Sequence, residues 1–373
     1  MVTRTIDSWL QVGERVSQAR RAAGLTQEQL AGAVRLDRTA LSKVETGQRG
    51  LDALELGRFA RELKRPVSWF LTSPGRSLTS RRSSLAHREP HAVDDTLEEA
   101  VQNVELLRDF GVLKTQAIRI DRGIETFEDA EEVATETRRR LGRPTAELWD
   151  LARIVEECGL FAFTLDLGTS DVDGVYAALD DAGVAIINGH FDSGRRRFTL
   201  AHELGHHVLQ DEFTSDWDVL ACAEARERLI SAFGVHFLLP RAAAESAWRE
   251  LSGASKPWEA ALVLGARYGL SWSALALHLK NLGLVDQHVH DELRASPPRR
   301  AHYIEREITV PDDLRPPSVP PQYAAAAVKA FRTQKISGER AVELLFETLR
   351  REDLPSLDTV PLEALRSELK RTR

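Results

Sequence analysis

The sequence predicts a mostly α-helical protein with an α+β region at its centre. Apolar residues recur at helical spacing through most of the chain, for example over 94–113. Three short apolar runs at 160–167, 174–180 and 184–188 have the composition of strands. A Ser-, Arg- and Pro-rich stretch at 72–93 breaks the helical pattern. We therefore expect an all-α domain first, then a domain of helices around a small sheet, then a helical C-terminal region.

The composition indicates a globular protein of two or three domains. The chain has 373 residues, of which 42% are hydrophobic and 29% charged. Two cysteines, Cys158 and Cys222, provide neither a disulfide framework nor a cysteine-type zinc site. The N-terminus lacks the pattern of a signal peptide, and no apolar run approaches the roughly 18 residues of a membrane helix. We expect a cytoplasmic protein that does not bind membranes.

The net charge of −7 is unevenly distributed along the chain. Residues 1–90 contain 16 Lys and Arg against 9 Asp and Glu, a net charge of +7, so the remainder carries −14. A basic N-terminal region on an acidic chain favours a polyanionic partner for that region alone.

The N-terminal region, 8–71, predicts short helices joined by tight turns. Thr26 is placed to cap a helix that starts at Gln27, and Asp37 to cap a second helix over 38–45. On this second helix Leu41 and Val44 would face the core, which turns its polar residues outward.

Two helices in this arrangement can place the second one in the major groove of DNA. Its outward side chains could read base edges, while Gln27 and Arg49 could contact the phosphate backbone. The DNA-contacting candidates are Gln27, Arg38, Thr39, Ser42, Lys43 and Arg49.

The segments GLTQEQLA, LDRTALSKVETGQR and LGRFARELKRPVSWFL resemble phage-repressor-type (XRE) helix-turn-helix domains. This resemblance implies binding to a double-stranded DNA operator, as a homodimer. The alternative is a small helical module that docks another protein.

The strongest chemical motif is HELGH at 202–206, within a predicted helix over 196–210. Residues four apart share a helix face, so His202 and His206 can direct two imidazoles at one Zn²⁺ ion. Glu203 is placed to take a proton from a water that the metal activates and to pass it to a leaving amine. The alternative is a buried helix whose histidines occur by chance.

A catalytic zinc site of this type needs a third protein ligand. The next predicted helix, 221–238, contains Glu224, Glu227 and His236, and spacing alone leaves these three open.

FTLAHELGHHVL followed by FGVHFLLP resembles the ImmA/IrrE family of metallopeptidases. The resemblance implies a zincin-like metallopeptidase domain, and it implies that Glu227, thirteen residues before Pro240, is the third ligand, with Glu224 as the fallback. Ser231 stands where the family often has Asn, which removes one expected hydrogen bond to the ligands.

Three further residues have candidate roles near the metal. We expect His207 to support the site or lie at the surface rather than bind metal. His190 could line the cleft, and Tyr176 could stabilise an oxyanion; ordinary loop and core roles are the alternatives.

The remaining sequence is predicted to be helical apart from one proline-rich stretch. The segment after the peptidase region resembles a helix-turn-helix but has few basic residues, which favours a structural role over a second DNA reader. The expected domains are 8–71, helix-turn-helix; 72–93, linker; 94–255, metallopeptidase; 256–293, a helix-turn-helix-like segment; 294–321, a proline-rich linker or extended wrap; and 322–373, a helical C-terminal region.

These observations predict a DNA-binding transcriptional regulator that carries a zinc endopeptidase. The resemblance implies that it cleaves a repressor or antitoxin, or its own chain, after a stress or phage-related signal. The alternative is a repressor that uses the peptidase fold to sense a metal or ligand without proteolysis.

Overall fold

The computed structural model describes residues 8–63, 65, 67–71, 91–210 and 220–357. The described chain forms two compact units. The first contains residues 8–71 and 91–98, and the second begins at residue 99. Residues 72–90 of the predicted linker, and 358–373 of the predicted C-terminal region, lie outside the described residues.

The described residues of the first unit form helices joined by turns, with no strand among them. The helices are α1 (Trp9–Ala22), α2 (Gln27–Val34), α3 (Arg38–Glu45), α4 (Ala53–Glu62), α5 (Val67–Leu71) and the start of α6 (His91–Asp109).

Side-chain caps fix where α2 and α3 begin, as the sequence predicts. The hydroxyl of Thr26 accepts from the amide of Gln29, whose side chain accepts in return from the amide of Thr26. The carboxylate of Asp37 caps α3. Leu41 and Val44 are buried, which confirms the predicted inward face of α3.

The second unit contains helices around one small sheet. Its elements after α6 are α7 (Phe127–Arg140), α8 (Leu151–Glu156), β1 (Leu160–Leu165), β2 (Gly174–Ala178), β3 (Gly183–Asn188), α9 (Ser193–Leu209), α10 (Leu220–Leu238), α11 (Arg241–Ser252), α12 (Pro257–Tyr268), α13 (Trp272–Asn281), α14 (Gln287–Ala295), α15 (Arg300–Glu305), α16 (Pro321–Arg332) and α17 (Gly338–Leu344). A short 3-10 helix follows at Arg351–Asp353.

The three strands lie in the order β1-β3-β2. β3 pairs in parallel with β1, where Leu160 faces Gly183, and antiparallel with β2, where Gly174 faces Ile187. All six residues of β3 are buried, which explains why this central strand reads as a continuous apolar run in the sequence.

Of the two expectations for 294–321, a linker or an extended wrap, the segment around 311–318 agrees with the wrap and not with a free linker. Thr164 of β1 and Ser318 exchange backbone hydrogen bonds of 2.9 Å, so this segment pairs with the outer edge of β1. Leu314 is fully buried, and Asp313 accepts from the amide of Leu151 at 2.7 Å. Apolar burial and satisfied backbone groups therefore make this stretch part of the second unit.

Helices α9 and α10 pack closely because glycines lie at their contact. A Cβ atom on Gly205 would stand 2.8 Å from Cδ1 of Phe233 and 3.0 Å from Cγ2 of Ile230. A Cβ atom on Gly234 would stand 3.2 Å from the backbone nitrogen of His202. The two helices can approach this closely only without side chains at these positions, and this approach shapes the site described below.

The helix pair α12–α13 packs into the core of the second unit. The two helices lie at 110° to each other, an arrangement that agrees with the resemblance of this segment to a helix-turn-helix. Leu275 and Leu279 are fully buried, and Nε2 of His278 donates to the carbonyl of Leu239 at 2.9 Å. These contacts agree with the structural role favoured above. No single described helix is long and apolar enough to cross a membrane, and this bent pair passes that test only as two helices together.

Candidate metal centre

The HELGH motif lies in the middle of α9. This helix starts at an Asp192 cap and runs without a break through the motif. His202, Glu203 and His206 are 7%, 1% and 1% exposed, so the motif is inside the protein. Buried polar side chains need hydrogen-bond partners. Partners of the two histidines lie on α10.

Helix α10 brings Glu227 to both imidazoles. Oε2 of Glu227 is 3.1 Å from Nε2 of His202 and 3.6 Å from Nε2 of His206, and the two nitrogens are 3.1 Å apart. Ligand atoms held at about 2.0–2.1 Å by a tetrahedral zinc ion lie about 3.3 Å from one another. The three atoms therefore have the separation of one face of a zinc tetrahedron. Among the described residues, this is the one cluster of its kind.

The charge of Glu227 also suits a metal ligand. Its burial raises the pKa, but hydrogen bonds from His202 and His206 lower it by more. The net result is a pKa below the usual range, so the side chain is a carboxylate at neutral pH. Two neutral imidazoles and one carboxylate form the donor set of many catalytic zinc sites.

Glu203 lies against the edge strand of the sheet. A Cβ atom on Gly174, the first residue of β2, would stand 3.5 Å from Oε1 of Glu203 and 2.7 Å from Cγ2 of Thr199. A larger residue here would clash with Thr199, so Gly174 keeps the strand close to the carboxylate of Glu203.

Ser231 orients the ring of His202. Its hydroxyl lies 3.3 Å from Nδ1 of His202, on the side of the ring away from Glu227. The expectation that serine at this position removes a supporting hydrogen bond is therefore wrong, because the hydroxyl supplies one. Ser231 lies four residues after Glu227, on the same face of α10, and this spacing was the signal available in the sequence.

His207 belongs to a separate buried network. Its Nε2 lies 2.9 Å from the carbonyl of Cys158, and its Nδ1 lies 3.1 Å from both the hydroxyl of Tyr176 and Nη1 of Arg119. Burial, followed by the charge of Arg119, lowers the pKa of His207 to about 3. The ring is neutral, and it holds α9 against β2 and α8 rather than binding the metal.

The other candidates lie apart from the centre. The hydroxyl of Tyr176 is directed at His207 and not at the ligand cluster. His190 is exposed before the start of α9 and is not part of the ligand cluster. Glu224 is exposed outside the cluster, and Nε2 of His236 lies 3.7 Å from Oε2 of Glu131.

Two family models match the chain. The Peptidase_M78 model, described as an IrrE N-terminal-like domain, matches residues 155–280, and the HTH_3 helix-turn-helix model matches residues 16–70. The chain is a fusion of an XRE-type helix-turn-helix domain and an IrrE-like peptidase domain. These two domains are those of a transcription regulator with a protease-like domain. All three ligand candidates lie within the IrrE-like range, and α2 and α3 lie within the helix-turn-helix range.

Several solved structures are similar to parts of the fusion. The restriction-modification controller protein C.AhdI from Aeromonas hydrophila is 32% identical over 17% of this chain and 96% of its own, with a TM-score of 0.17. PlcR of Bacillus thuringiensis, solved with the peptide PapR7 and DNA, is 10% identical over 97% of this chain and 98% of its own, with a TM-score of 0.18. ComR from Streptococcus suis is 14% identical over 77% of this chain and 94% of its own, with a TM-score of 0.17. No curated protein matches.

The helix-turn-helix domain presents most of the predicted DNA contacts on α3. Arg38, Thr39 and Lys43 are exposed, and Ser42 is half-buried. These side chains share the helix with the buried Leu41, and their reading of bases remains a prediction.

The other two predicted DNA contacts already have partners within the domain. Nε2 of Gln27 donates to Oε2 of Glu45 at 2.8 Å, and Nη2 of Arg49 donates to Oε1 of Glu55 at 2.6 Å. The phosphate contact of Gln27 stays a prediction, and it would need the backbone amide at the start of α2 or a side chain released from Glu45. Neither acidic partner was predicted from the sequence, since they lie 18 and 6 residues away along the chain.

Proposed function

We propose that this protein is a DNA-binding regulator whose IrrE-like domain is a zinc-dependent endopeptidase. The observation that carries the proposal is the convergence of His202, His206 and Glu227 at the separations of a zinc tetrahedron. The proposed substrate is a regulatory protein, either a separate repressor or antitoxin or the chain itself. The proposed trigger is a stress or phage-related signal.

The residues of the centre divide the chemistry among them. When bound, zinc would polarise a peptide carbonyl and lower the pKa of a water. Glu203 accepts the proton of that water on its carboxylate and delivers it to the leaving amine nitrogen. Ser231 holds the ring of His202 so that Nε2 faces the other two ligands. The anionic Glu227 offsets part of the metal charge.

The helix-turn-helix domain supplies the second half of the function. Basic Arg38 and Lys43 lie exposed on α3, the helix that this motif places in the major groove. We infer that the regulator binds a palindromic operator as a homodimer, since symmetric half-sites match a twofold protein.

The test is cleavage by the zinc-loaded full chain, alone and with a candidate repressor from its genomic neighbourhood. Wild type is compared with Glu203→Gln and His202→Ala on gels, with mass spectrometry of fragments and a measurement of bound zinc. We expect fragments from wild type only, with zinc retained in Glu203→Gln and lost in His202→Ala.

The alternative function gives a different pattern. A metal sensor without proteolysis would yield no fragments from any variant, while removal of zinc would change the affinity for DNA. Fragments that persist in Glu203→Gln would contradict the assigned role of this carboxylate.

A further inference from the structure

The chain enters the first unit twice. Residues 8–71 form most of the helix-turn-helix unit, and residues 91–98 of α6 complete it after an interval of chain that lies outside the described residues. Val93 and Leu97 are 2% and 0% exposed, so the apolar side chains at the start of α6 are buried in the fold.

Trp69 lies at the centre of the surface that receives α6. The ring is 1% exposed, and the guanidinium carbon of Arg15 lies 4.0 Å from its centroid. Nη1 of Arg15 donates to Oε2 of Glu98 at 3.0 Å, and Nη2 donates to Oε1. Arg15 therefore binds the carboxylate of Glu98 with both arms of its fork while it stacks on the indole.

A second ion pair also lies close to the Trp69 ring. The guanidinium carbon of Arg65 is 5.4 Å from the centroid of Trp69, and Nη2 of Arg65 pairs with Oδ2 of Asp95. Asp95 and Glu98 are 3% and 5% exposed. Both carboxylates are thus buried against arginines of the first unit.

This arrangement specifies its occupant closely. Asp95 and Glu98 are three residues apart, so they share a face of α6 with Leu97 beside them. A buried arginine without its carboxylate is strongly unfavourable, because a charge taken out of water then has no partner. The surface formed by Arg15, Arg65 and Trp69, here named the α6 docking surface, therefore needs an acidic, amphipathic helix.

We propose that the α6 docking surface holds residues 91–98 tightly enough to keep the helix-turn-helix unit whole after a cut anywhere between residues 71 and 91. The C-terminal product of such a cut begins before α6 and carries the docked residues with it. Cleavage in this interval, by the chain itself or by another protease, would then leave the DNA-binding residues attached. Release would need a second event that breaks the two arginine–carboxylate pairs. This inference does not depend on whether the IrrE-like domain is active.

The test uses the full chain with an N-terminal tag and a site-specific protease sequence inserted between residues 80 and 81. Complete cutting is verified on a denaturing gel, and the products are passed over a sizing column with mass detection. We expect the two fragments to elute together at the mass of the uncut chain. Separate elution of the tagged fragment would overturn the proposal. The uncut protein on the same column gives the reference mass, so a homodimer in both forms still counts as retention of the tagged fragment.

A matched pair of variants tests the ion pairs. Glu98→Ala removes the partner of Arg15. We expect the affinity between the two cut fragments to fall by about tenfold or more, so that they separate on the column. Asp109→Ala removes an exposed carboxylate at the far end of α6 and should leave the fragments together. Far-UV circular dichroism of each uncut variant separates loss of docking from loss of folding. Equal retention by Glu98→Ala and wild type would contradict the role of this pair.

Discussion

At the level of single residues, a hydrogen bond to a ring atom that does not face the candidate metal site fixes the orientation of a candidate ligand. The hydroxyl of Ser231 lies 3.3 Å from Nδ1 of His202, the ring nitrogen that does not face Glu227. A ring that is fixed at Nδ1 presents Nε2 to the metal with a defined orientation and tautomer.

We predict that Ser231→Ala weakens zinc binding by about 10-fold or more, because losing such a partner typically costs 10–100-fold in metal affinity. Ser231→Thr keeps a hydroxyl and should recover most of the affinity. Competition with a chelating zinc indicator measures the change. Ser255→Ala, whose hydroxyl bonds to the carbonyl of Leu251, serves as the control. Unchanged affinity in Ser231→Ala would remove the orienting role.

His278 is a second residue whose surroundings fix its protonation state. Burial, followed by the charge of His236, lowers the pKa of His278 to about 3. Its Nε2 donates to Leu239, and Glu131 and Arg241 are the other charged groups that act on it. The folded state therefore keeps His278 neutral, whereas the unfolded chain takes up a proton near pH 6.5.

We predict that the share of stability due to neutral His278 is present above about pH 6.5 and is lost as the pH falls toward 3. One such group contributes about 1.4 kcal/mol per pH unit, or roughly 3 kcal/mol between pH 6.5 and 4.5. His278→Gln keeps a donor for Leu239 but does not titrate, so its unfolding free energy should fall less over this range. Urea unfolding at a series of pH values measures the difference. His288→Gln, at a side chain 81% exposed, should behave like wild type.

At the scale of elements, the contact between α9 and α10 builds the site. Two of the candidate ligands come from α9 and the third comes from α10, so neither helix forms the cluster alone. Gly205 and Gly234 set how closely these helices approach, and so set the 3.1 Å between Glu227 and His202.

We predict that Gly205→Ala lowers the unfolding free energy by about 1–3 kcal/mol, because its Cβ would overlap the ring of Phe233. The displaced α10 should also weaken zinc binding, since Glu227 moves with it. Thermal unfolding and chelator competition measure the two effects. Gly338→Ala is the control, because a Cβ there meets its nearest atom at 3.5 Å, an ordinary contact. A variant with normal zinc affinity would show that the ligand set tolerates helix displacement.

At the scale of the whole molecule, charge is divided between its two functions. Residues 1–90 carry a net +7 and the rest of the chain −14, so an approaching DNA duplex is attracted to one region and repelled by the other. The exposed Arg38 and Lys43 belong to the basic region.

We predict that binding to operator DNA weakens steeply with salt, and that a base-reading residue and a phosphate-contacting residue differ in their effects. Arg38→Ala should cost about 1–3 kcal/mol and relax the sequence preference at one position. Arg49→Ala, at the predicted phosphate contact, should weaken binding to all sequences and reduce the salt slope by about 1. Fluorescence anisotropy on DNA from the upstream region of its own gene measures both effects. Arg139→Ala, an arginine 69% exposed in the second unit, should change neither. Identical losses on specific and random DNA for Arg38→Ala would argue against base reading.

Local signals account for what could be predicted from the sequence. The caps at Thr26 and Asp37, the run of β3 and the spacing of His202 and His206 involve residues within a few positions of each other. The predicted boundaries differ from the observed ones where tertiary packing ends an element. The first strand stops at Leu165 and not at residue 167, and the second stops at Ala178 and not at residue 180.

Two features of this protein follow from its sequence alone: a capped helix pair with basic residues on one face, and a helix with two histidines one turn apart. Both follow from chain-local geometry, which any environment leaves intact. The family resemblance already implied Glu227 as the acidic partner of the histidines. The support of His202 by Ser231, and the completion of the first unit by residues 91–98, became evident in the folded structure. Those features depend on how helices distant in sequence approach one another, and that approach is set by glycine contacts and buried ion pairs that no local pattern encodes.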